Sequence, residues 1–159
     1  MRSKKARKFL MFWCLFIGIG AFFGGFWMIL DPSGVSMGMD VLLPDFQVLP
    51  LAQYLFQNFT FPGISLIIIN GITNLVASFL MLKNNKLGTI LGTIFGITLM
   101  LWICIQFCIF TFNFLSLSFF IFGFIQFFTG VTTLIYTKQE SFNYAENGDT
   151  SVGTNSKTD

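Results

Sequence analysis

Four long apolar stretches constrain the fold of this chain more than any other feature. They cover residues 9–30, 62–82, 87–110 and 114–136, and none contains Lys, Arg, Asp, Glu or His. A helix of about 20 residues crosses the ~30 Å hydrocarbon core of a bilayer. A helix also satisfies its own backbone hydrogen bonds in lipid. The sequence therefore predicts an all-α integral membrane four-helix bundle over residues 1–136.

The composition agrees with this class of protein. Hydrophobic residues make up 54% of the chain and charged residues only 10%, whereas soluble domains average about 25% charged residues. We therefore expect the lipid bilayer to be the main partner. We expect no nucleic-acid binding, because membrane topology accounts for the basic residues without it.

The charges predict how the chain is threaded through the membrane. Eight of the nine basic residues flank the apolar stretches, all on one side of a four-span arrangement: Arg2, Lys4, Lys5, Arg7, Lys8, Lys83, Lys86 and Lys138. The ninth, Lys157, lies in the tail on the same side. The other side carries Asp31, Asp40 and Asp45 and no cation. The positive-inside rule then predicts a multi-pass protein of the plasma membrane with both termini cytoplasmic and the turn at 111–113 outside. A cleaved signal peptide in place of the first span stays open as an alternative.

Two segments outside the spans have distinct patterns. The long outer loop covers residues 31–61, and within it LAQYLFQNF, at 51–59, has apolar residues at helical spacing. This spacing predicts a short amphipathic helix on the membrane surface. Residues 137–159 are polar and nearly free of aliphatic residues, which predicts a disordered cytoplasmic tail.

The segment MILDPSGVSMGM follows the first apolar stretch directly. Pro32 disfavours helical geometry at Asp31, so the first helix should end just before that residue. Asp31, Pro32 and Gly34 occupy the positions that these residue types favour in a type I turn. A carboxylate at a helix C-terminus is electrostatically unfavourable. We therefore expect loop N–H groups of Ser33 or Gly34, water or an external cation to satisfy Asp31.

Glycines recur at four-residue spacing in two of the spans. Gly88, Gly92 and Gly96 form one such series in the third span, and Gly20 and Gly24 form a pair in the first. On a helix this spacing makes a smooth stripe that lets another backbone approach closely. The stripes predict helix packing, either within one chain or between copies in a homo-oligomer.

Four amide side chains lie within the spans: Asn70, Asn74, Gln106 and Gln126. Asn74 and Gln126 lie at similar depth, about 18 Å from the outer end of their helices at 1.5 Å per residue. We therefore predict a hydrogen bond between them, which would join the second and fourth spans. A site for a neutral solute built from the same amides is the alternative.

Several kinds of chemistry lack the residues they need. The chain has no His, and its three cysteines do not form a C-x-x-C motif, so we interpret them as buried apolar residues. The loop acids Asp31, Asp40 and Asp45 match no compact metal loop, although a bound divalent ion or a catalytic role stays possible for them. We expect no cofactor, no metal and no catalytic residues.

The chain resembles a group of small bacterial membrane proteins of unknown function. The resemblance rests on LDPSGVSMGM and on FPGISLIIINGITN, which carry Asp31, Pro32, Gly34, Gly38, Pro62, Gly63, Asn70 and Gly71. LWICIQ in the third span and Gly123 in the fourth add to it, and it covers about residues 10–135. It implies a four-span bundle and supplies no activity.

Three functions are compatible with the sequence. The first is a non-catalytic accessory or interaction subunit, with a second copy or another membrane protein as its partner. The second is a small channel or transporter for a neutral or weakly polar solute, which would use Asn70, Asn74 and Gln126. The third is an outward-facing membrane enzyme acting on lipid or quinone through the loop acids. We expect the first, because packing signals are abundant and reactive groups are scarce.

Overall fold

The computed structural model describes residues 2–47, 49, 51–109 and 114–154. The predicted turn at 111–113 and the last residues of the tail lie outside this part of the chain. No strand occurs among the described residues, so the all-α prediction is confirmed there.

Most of the described chain is helical. The helices in chain order are α1 (Arg2–Leu30), α2 (Leu43–Phe46), α3 (Ala52–Leu55), α4 (Thr60–Leu66), α5 (Thr73–Leu82), α6 (Lys86–Ile109) and α7 (Phe114–Thr154). A π-helical segment, Ile67–Ile72, joins α4 to α5 without a break. Two 3₁₀ turns, Val35–Met37 and Asp40–Leu42, lie between α1 and α2.

Four helices are long and apolar enough to cross a membrane, as predicted. They are Ser3–Leu30, Thr60–Leu82, Lys86–Ile109 and Ser116–Asn143. The second of them combines α4, the π segment and α5. These helices suggest a multi-pass membrane protein.

Helix α7 continues to Thr154, well past the predicted end of the fourth span at residue 136. The hydroxyl groups of Thr137 and Ser141 donate to the carbonyl groups four residues earlier, at 2.8 and 3.0 Å. The sequence offers a reason, because no proline follows Tyr136 and the next glycine is Gly148. Disorder of the tail in solution stays a prediction.

The glycine stripe of α6 packs within the chain. A Cβ atom on Gly88 would lie 2.5 Å from the backbone nitrogen of Met81, and one on Gly96 would lie 2.7 Å from that of Phe127. Between them, a Cβ on Gly92 would lie 3.0 Å from the sulfur of Cys14. The stripe thus allows close approach of α5, α1 and α7 in turn, and contact between copies in a homo-oligomer stays a prediction.

Within the chain, α1 does not use the predicted pair Gly20 and Gly24 for its closest helix contacts. A Cβ on Gly20 would meet no heavy atom within 4 Å, and one on Gly24 would make only an ordinary contact at 3.7 Å. The close approach to the second long helix uses Gly18 and Gly25 instead, and a Cβ on Gly25 would lie 2.5 Å from the carbonyl oxygen of Gly63. The four-residue spacing was misleading because the contact repeats every seven residues.

The two ends of the bundle differ in charge. At one end, Arg7 donates to the side chain of Asn84 in the turn between α5 and α6. There the hydroxyl of Ser3 also donates to the carboxylate of Glu140 on α7, at 2.6 Å. We call this the basic end. The opposite end carries the segment from Asp31 to Phe59, and we call it the loop end.

Candidate functional site

The predicted turn forms at the loop end. The N–H of Gly34 donates to the carbonyl oxygen of Asp31 at 3.1 Å. The Asp31 carboxylate accepts hydrogen bonds from the hydroxyl of Ser33 and from the N–H of Ser36. These bonds, with that of the Ser33 side chain the largest effect, lower the pKa of Asp31 from 3.8 to about 2. Local serines therefore satisfy the charge of Asp31.

This turn is held against the start of the second long helix. Gly34 has a φ of 74°, and a Cβ there would lie 2.6 Å from the ring of Phe59. The N–H of Phe59 donates to the carbonyl of Pro32 at 2.9 Å. The ring of Phe46 stacks on Phe56 and meets the edge of Phe59, with centroid distances of 5.3 and 5.7 Å. The three rings form an aromatic cap on the loop end.

The cap explains why the predicted surface helix over 51–59 is shorter than expected. Its helical part is α3, Ala52–Leu55, and the chain leaves helical geometry at Phe56. Tyr54 is 75% exposed, whereas Phe59 is only 1% exposed. Phe59 therefore lies in the cap rather than on a common apolar face with Tyr54.

The predicted hydrogen bond between Asn74 and Gln126 is confirmed. The amide nitrogen of Gln126 donates to the side-chain oxygen of Asn74 at 2.7 Å and to the backbone oxygen of Gly92 at 2.8 Å. Both amide side chains are fully buried. We call this arrangement the polar tie, and it joins α5, α6 and α7.

Asn70 has a different environment because it lies in the π segment. Its backbone oxygen accepts a hydrogen bond from the side chain of Asn74 at 2.9 Å, and that of Ile69 accepts one from Thr73. These bonds help to satisfy carbonyl groups where the hydrogen-bonding pattern of the helix changes. The side-chain amide of Asn70 is 1% exposed, and neither its nitrogen nor its oxygen has a partner among the described residues.

Asn70 lines a cavity of about 270 Å³ between α1, the second long helix, α6 and α7. Gly20 and Gly24 form part of its α1 wall, and Trp102 and Gln106 form part of its α6 wall. The indole nitrogen of Trp102 is buried and has no hydrogen-bond partner among the described residues. Most of the lining residues are apolar, and only a few polar side chains are among them.

The loop and α7 complete the cavity. Met37 and Met39, from the segment after the Asp31 turn, line it from the loop, and Ser116 and Phe119 line it from α7. The hydroxyl of Ser116 donates to the side-chain oxygen of Gln106 at 3.2 Å. The helical lining residues lie toward the loop end of their helices, and the two methionines belong to the loop itself. The cavity is therefore in the loop-end half of the bundle.

The structure divides the predicted amides into two groups. Asn74 and Gln126 form the polar tie, whereas Asn70 and Gln106 line the cavity. Sequence reasoning missed Trp102, although it lies one helical turn before Gln106 on the same face of the third span. It also missed Met37 and Met39, because their place in the cavity wall depends on how the loop folds back onto the helices.

The prediction that all three cysteines are buried is only partly correct. Cys14 is buried as predicted, but Cys104 and Cys108 are exposed on the outer face of α6. The two are four residues apart and share a face that turns away from the bundle, which apolar character alone does not reveal. Within the part of the chain that the structure describes, no group of three or more His, Cys, Asp or Glu residues is placed to hold a metal ion.

Comparison with protein-family models, with curated proteins and with solved structures finds no match to this chain.

Proposed function

We propose that this protein is a multi-pass plasma-membrane protein that acts as a non-catalytic accessory or interaction subunit. The polar tie carries the proposal. The in-span amides best placed for a polar route across the membrane, Asn74 and Gln126, bond to each other and to the backbone of Gly92. Their hydrogen bonds therefore stabilise the packing of the helices, as interhelical amides commonly do in membrane bundles.

The charge distribution supports a topology in which the basic end faces the cytoplasm. Arg7, Asn84 and Glu140 lie together at that end, close to Lys83 and Lys86 in the sequence. The loop end carries Asp31, Asp40 and Asp45 instead. By the positive-inside rule both termini are cytoplasmic and the aromatic cap is outside.

The other two functions have less support. A channel for a polar solute needs a water-filled path through the bundle. In the middle of the bundle, however, the side chains of Asn74 and Gln126 are hydrogen-bonded to each other. A membrane enzyme needs a reactive group beside its substrate, but Asp31 is held by Ser33 and Ser36 in a surface turn. Neither arrangement favours transport or catalysis.

Photo-crosslinking in intact cells tests the proposed role. A photoreactive amino acid replaces one exposed residue on each long helix: Phe23, Phe79, Leu101 or Phe128. An interaction subunit gives a discrete heavier band, strongest for the helix that faces its partner, and mass spectrometry shows whether that partner is a second copy. The unirradiated sample is the control. If all four positions yield only the monomer, the proposal fails.

A further inference from the structure

We propose that the cavity at the loop end binds a small, neutral, mainly apolar molecule that carries one hydroxyl or carbonyl group. This inference does not depend on the interaction role proposed above, because a membrane subunit with or without a protein partner can hold such a ligand. Four properties of the cavity carry it.

The first property is size. The cavity measures about 270 Å³, which is nearly twice the ~150 Å³ of an engineered apolar cavity that binds benzene. Pockets for drug-sized ligands start at about 300 Å³. The volume therefore suits a single substituted ring or a short chain.

The second property is the origin of the space in the α1 wall. Gly20 and Gly24 line the cavity, and a Cβ on Gly20 would meet no atom within 4 Å. Other glycines of the bundle allow close backbone contact, whereas Gly20 leaves room. A larger side chain at this position therefore has room beside the cavity wall without meeting the rest of the chain.

The third property is the pair of unpartnered polar groups in the wall. The amide of Asn70 can both donate and accept, and the indole of Trp102 can donate. Both are buried without partners among the described residues, which is costly unless another group pairs with them. The two Asn70 amide atoms and the Trp102 indole nitrogen each expose less than 1 Å², so a ligand group pairs with them only when the side chain turns toward the cavity. A hydroxyl or carbonyl group matches these donors and acceptors.

The fourth property is the absence of charge from the lining. None of the lining residues is ionisable, and a charged ligand would lose its hydration without gaining a counter-ion. Met37 and Met39 line the cavity from the loop, and methionine adapts readily to the shape of an apolar ligand. The ligand is therefore neutral, and the loop can fit itself to it.

Quenching of Trp102 fluorescence tests the proposal directly. Trp13→Phe and Trp27→Phe remove the other two tryptophans, and the protein is studied in mild detergent at pH 7. The probes are 4-bromophenol, whose bromine quenches indole fluorescence, and bromobenzene, which lacks the hydroxyl. We expect saturable quenching by 4-bromophenol and about threefold to tenfold weaker binding of bromobenzene, as one net hydrogen bond predicts.

Variants distinguish a site from partitioning into the micelle. Gly20→Leu fills the cavity and should abolish saturable quenching, whereas Asn70→Leu should weaken 4-bromophenol binding to the level of bromobenzene. Gly20→Ala meets no atom within 4 Å, so it should fold even if the leucine variant does not, and it should weaken binding partially. Thr132→Val, at an exposed position on α7 outside the cavity, is the matched control and should change nothing.

Two results would overturn the proposal. Linear, unsaturable quenching that is the same in the Gly20 variants means that the probes only dissolve in the micelle. Saturable quenching with equal affinity for both probes, unchanged by Asn70→Leu, means that Asn70 and Trp102 do not bind the hydroxyl group of the ligand.

Discussion

The polar tie makes a quantitative prediction about the free energy of unfolding. Gln126 donates to Asn74 at 2.7 Å and to the oxygen of Gly92 at 2.8 Å, in fully buried surroundings. Replacing either amide by leucine keeps a side chain of similar size. It also leaves the remaining partner buried with fewer hydrogen bonds.

The expected magnitudes follow from these contacts. Each single substitution, Asn74→Leu or Gln126→Leu, should destabilise the bundle by about 1–3 kcal/mol, because a buried polar group loses its partner. The double variant should cost less than the sum of the two. The difference should be about 0.6 kcal/mol and at most ~1.7 kcal/mol, the range measured for interhelical hydrogen bonds in a membrane protein.

Reversible unfolding in mild detergent micelles, followed for the wild type, both single variants and the double variant, measures this coupling. Thr132→Val combined with Asn74→Leu is the control cycle, since Thr132 is exposed and its hydroxyl donates to the carbonyl of Phe128 within the same helix. That control should be additive within about 0.3–0.5 kcal/mol. If the effects of the Asn74 and Gln126 substitutions are equally additive, the two amides have no coupling free energy, and the polar tie does not stabilise the bundle.

Four further predictions concern the glycines and the Asp31 turn. Gly96→Ala should lower the free energy of unfolding by about 1–3 kcal/mol, because its Cβ would lie 2.7 Å from the nitrogen of Phe127. In the same assay, Gly20→Ala should be neutral or stabilising by up to ~1 kcal/mol, and the reverse order of the two would contradict the assigned contacts. Gly34→Ala should detach the turn from Phe59, which a rise in protease cleavage between Asp31 and Phe59 would report, and unchanged cleavage would argue against the contact. The pKa of Asp31 is lowered to about 2. The contribution of its ionised carboxylate to the stability of the turn is therefore present above about pH 4 and is lost as the pH falls towards 2. The fluorescence of Trp27, whose indole donates to Ser36 at 2.8 Å, should change in that window and should not change in Asp31→Asn.

The sequence predicts the four long helices well because each requirement is local. An uncharged stretch of sufficient length specifies a helix without reference to the rest of the fold. The Asp31 turn is predictable for the same reason, since Pro32 and Gly34 act on their immediate neighbours. The pairing of Asn74 with Gln126 follows from depth alone, because the second and fourth long helices run in the same direction and both residues lie about 12 positions from the outer end.

The cavity is not predictable from the sequence because it depends on the rotation of each helix. Gly20 and Gly24 have the spacing of a packing stripe, yet α1 presents Gly18 and Gly25 to its neighbour and leaves Gly20 at the cavity. The π segment adds to this difficulty, since it changes the direction in which Asn70 points relative to a regular helix. No residue pattern in IIINGI signals that change.

In the proposed topology, four helices cross the membrane and the loop end lies outside. Labelling with a membrane-impermeant maleimide on intact cells tests this topology, in a chain whose exposed Cys104 and Cys108 are replaced by serine. Tyr54→Cys, on the exposed surface of the loop end, should be labelled at once. Ser141→Cys, near the basic end on α7, should be labelled only after the cells are permeabilised. Labelling of both positions on intact cells, or of Ser141→Cys alone, would contradict the claim.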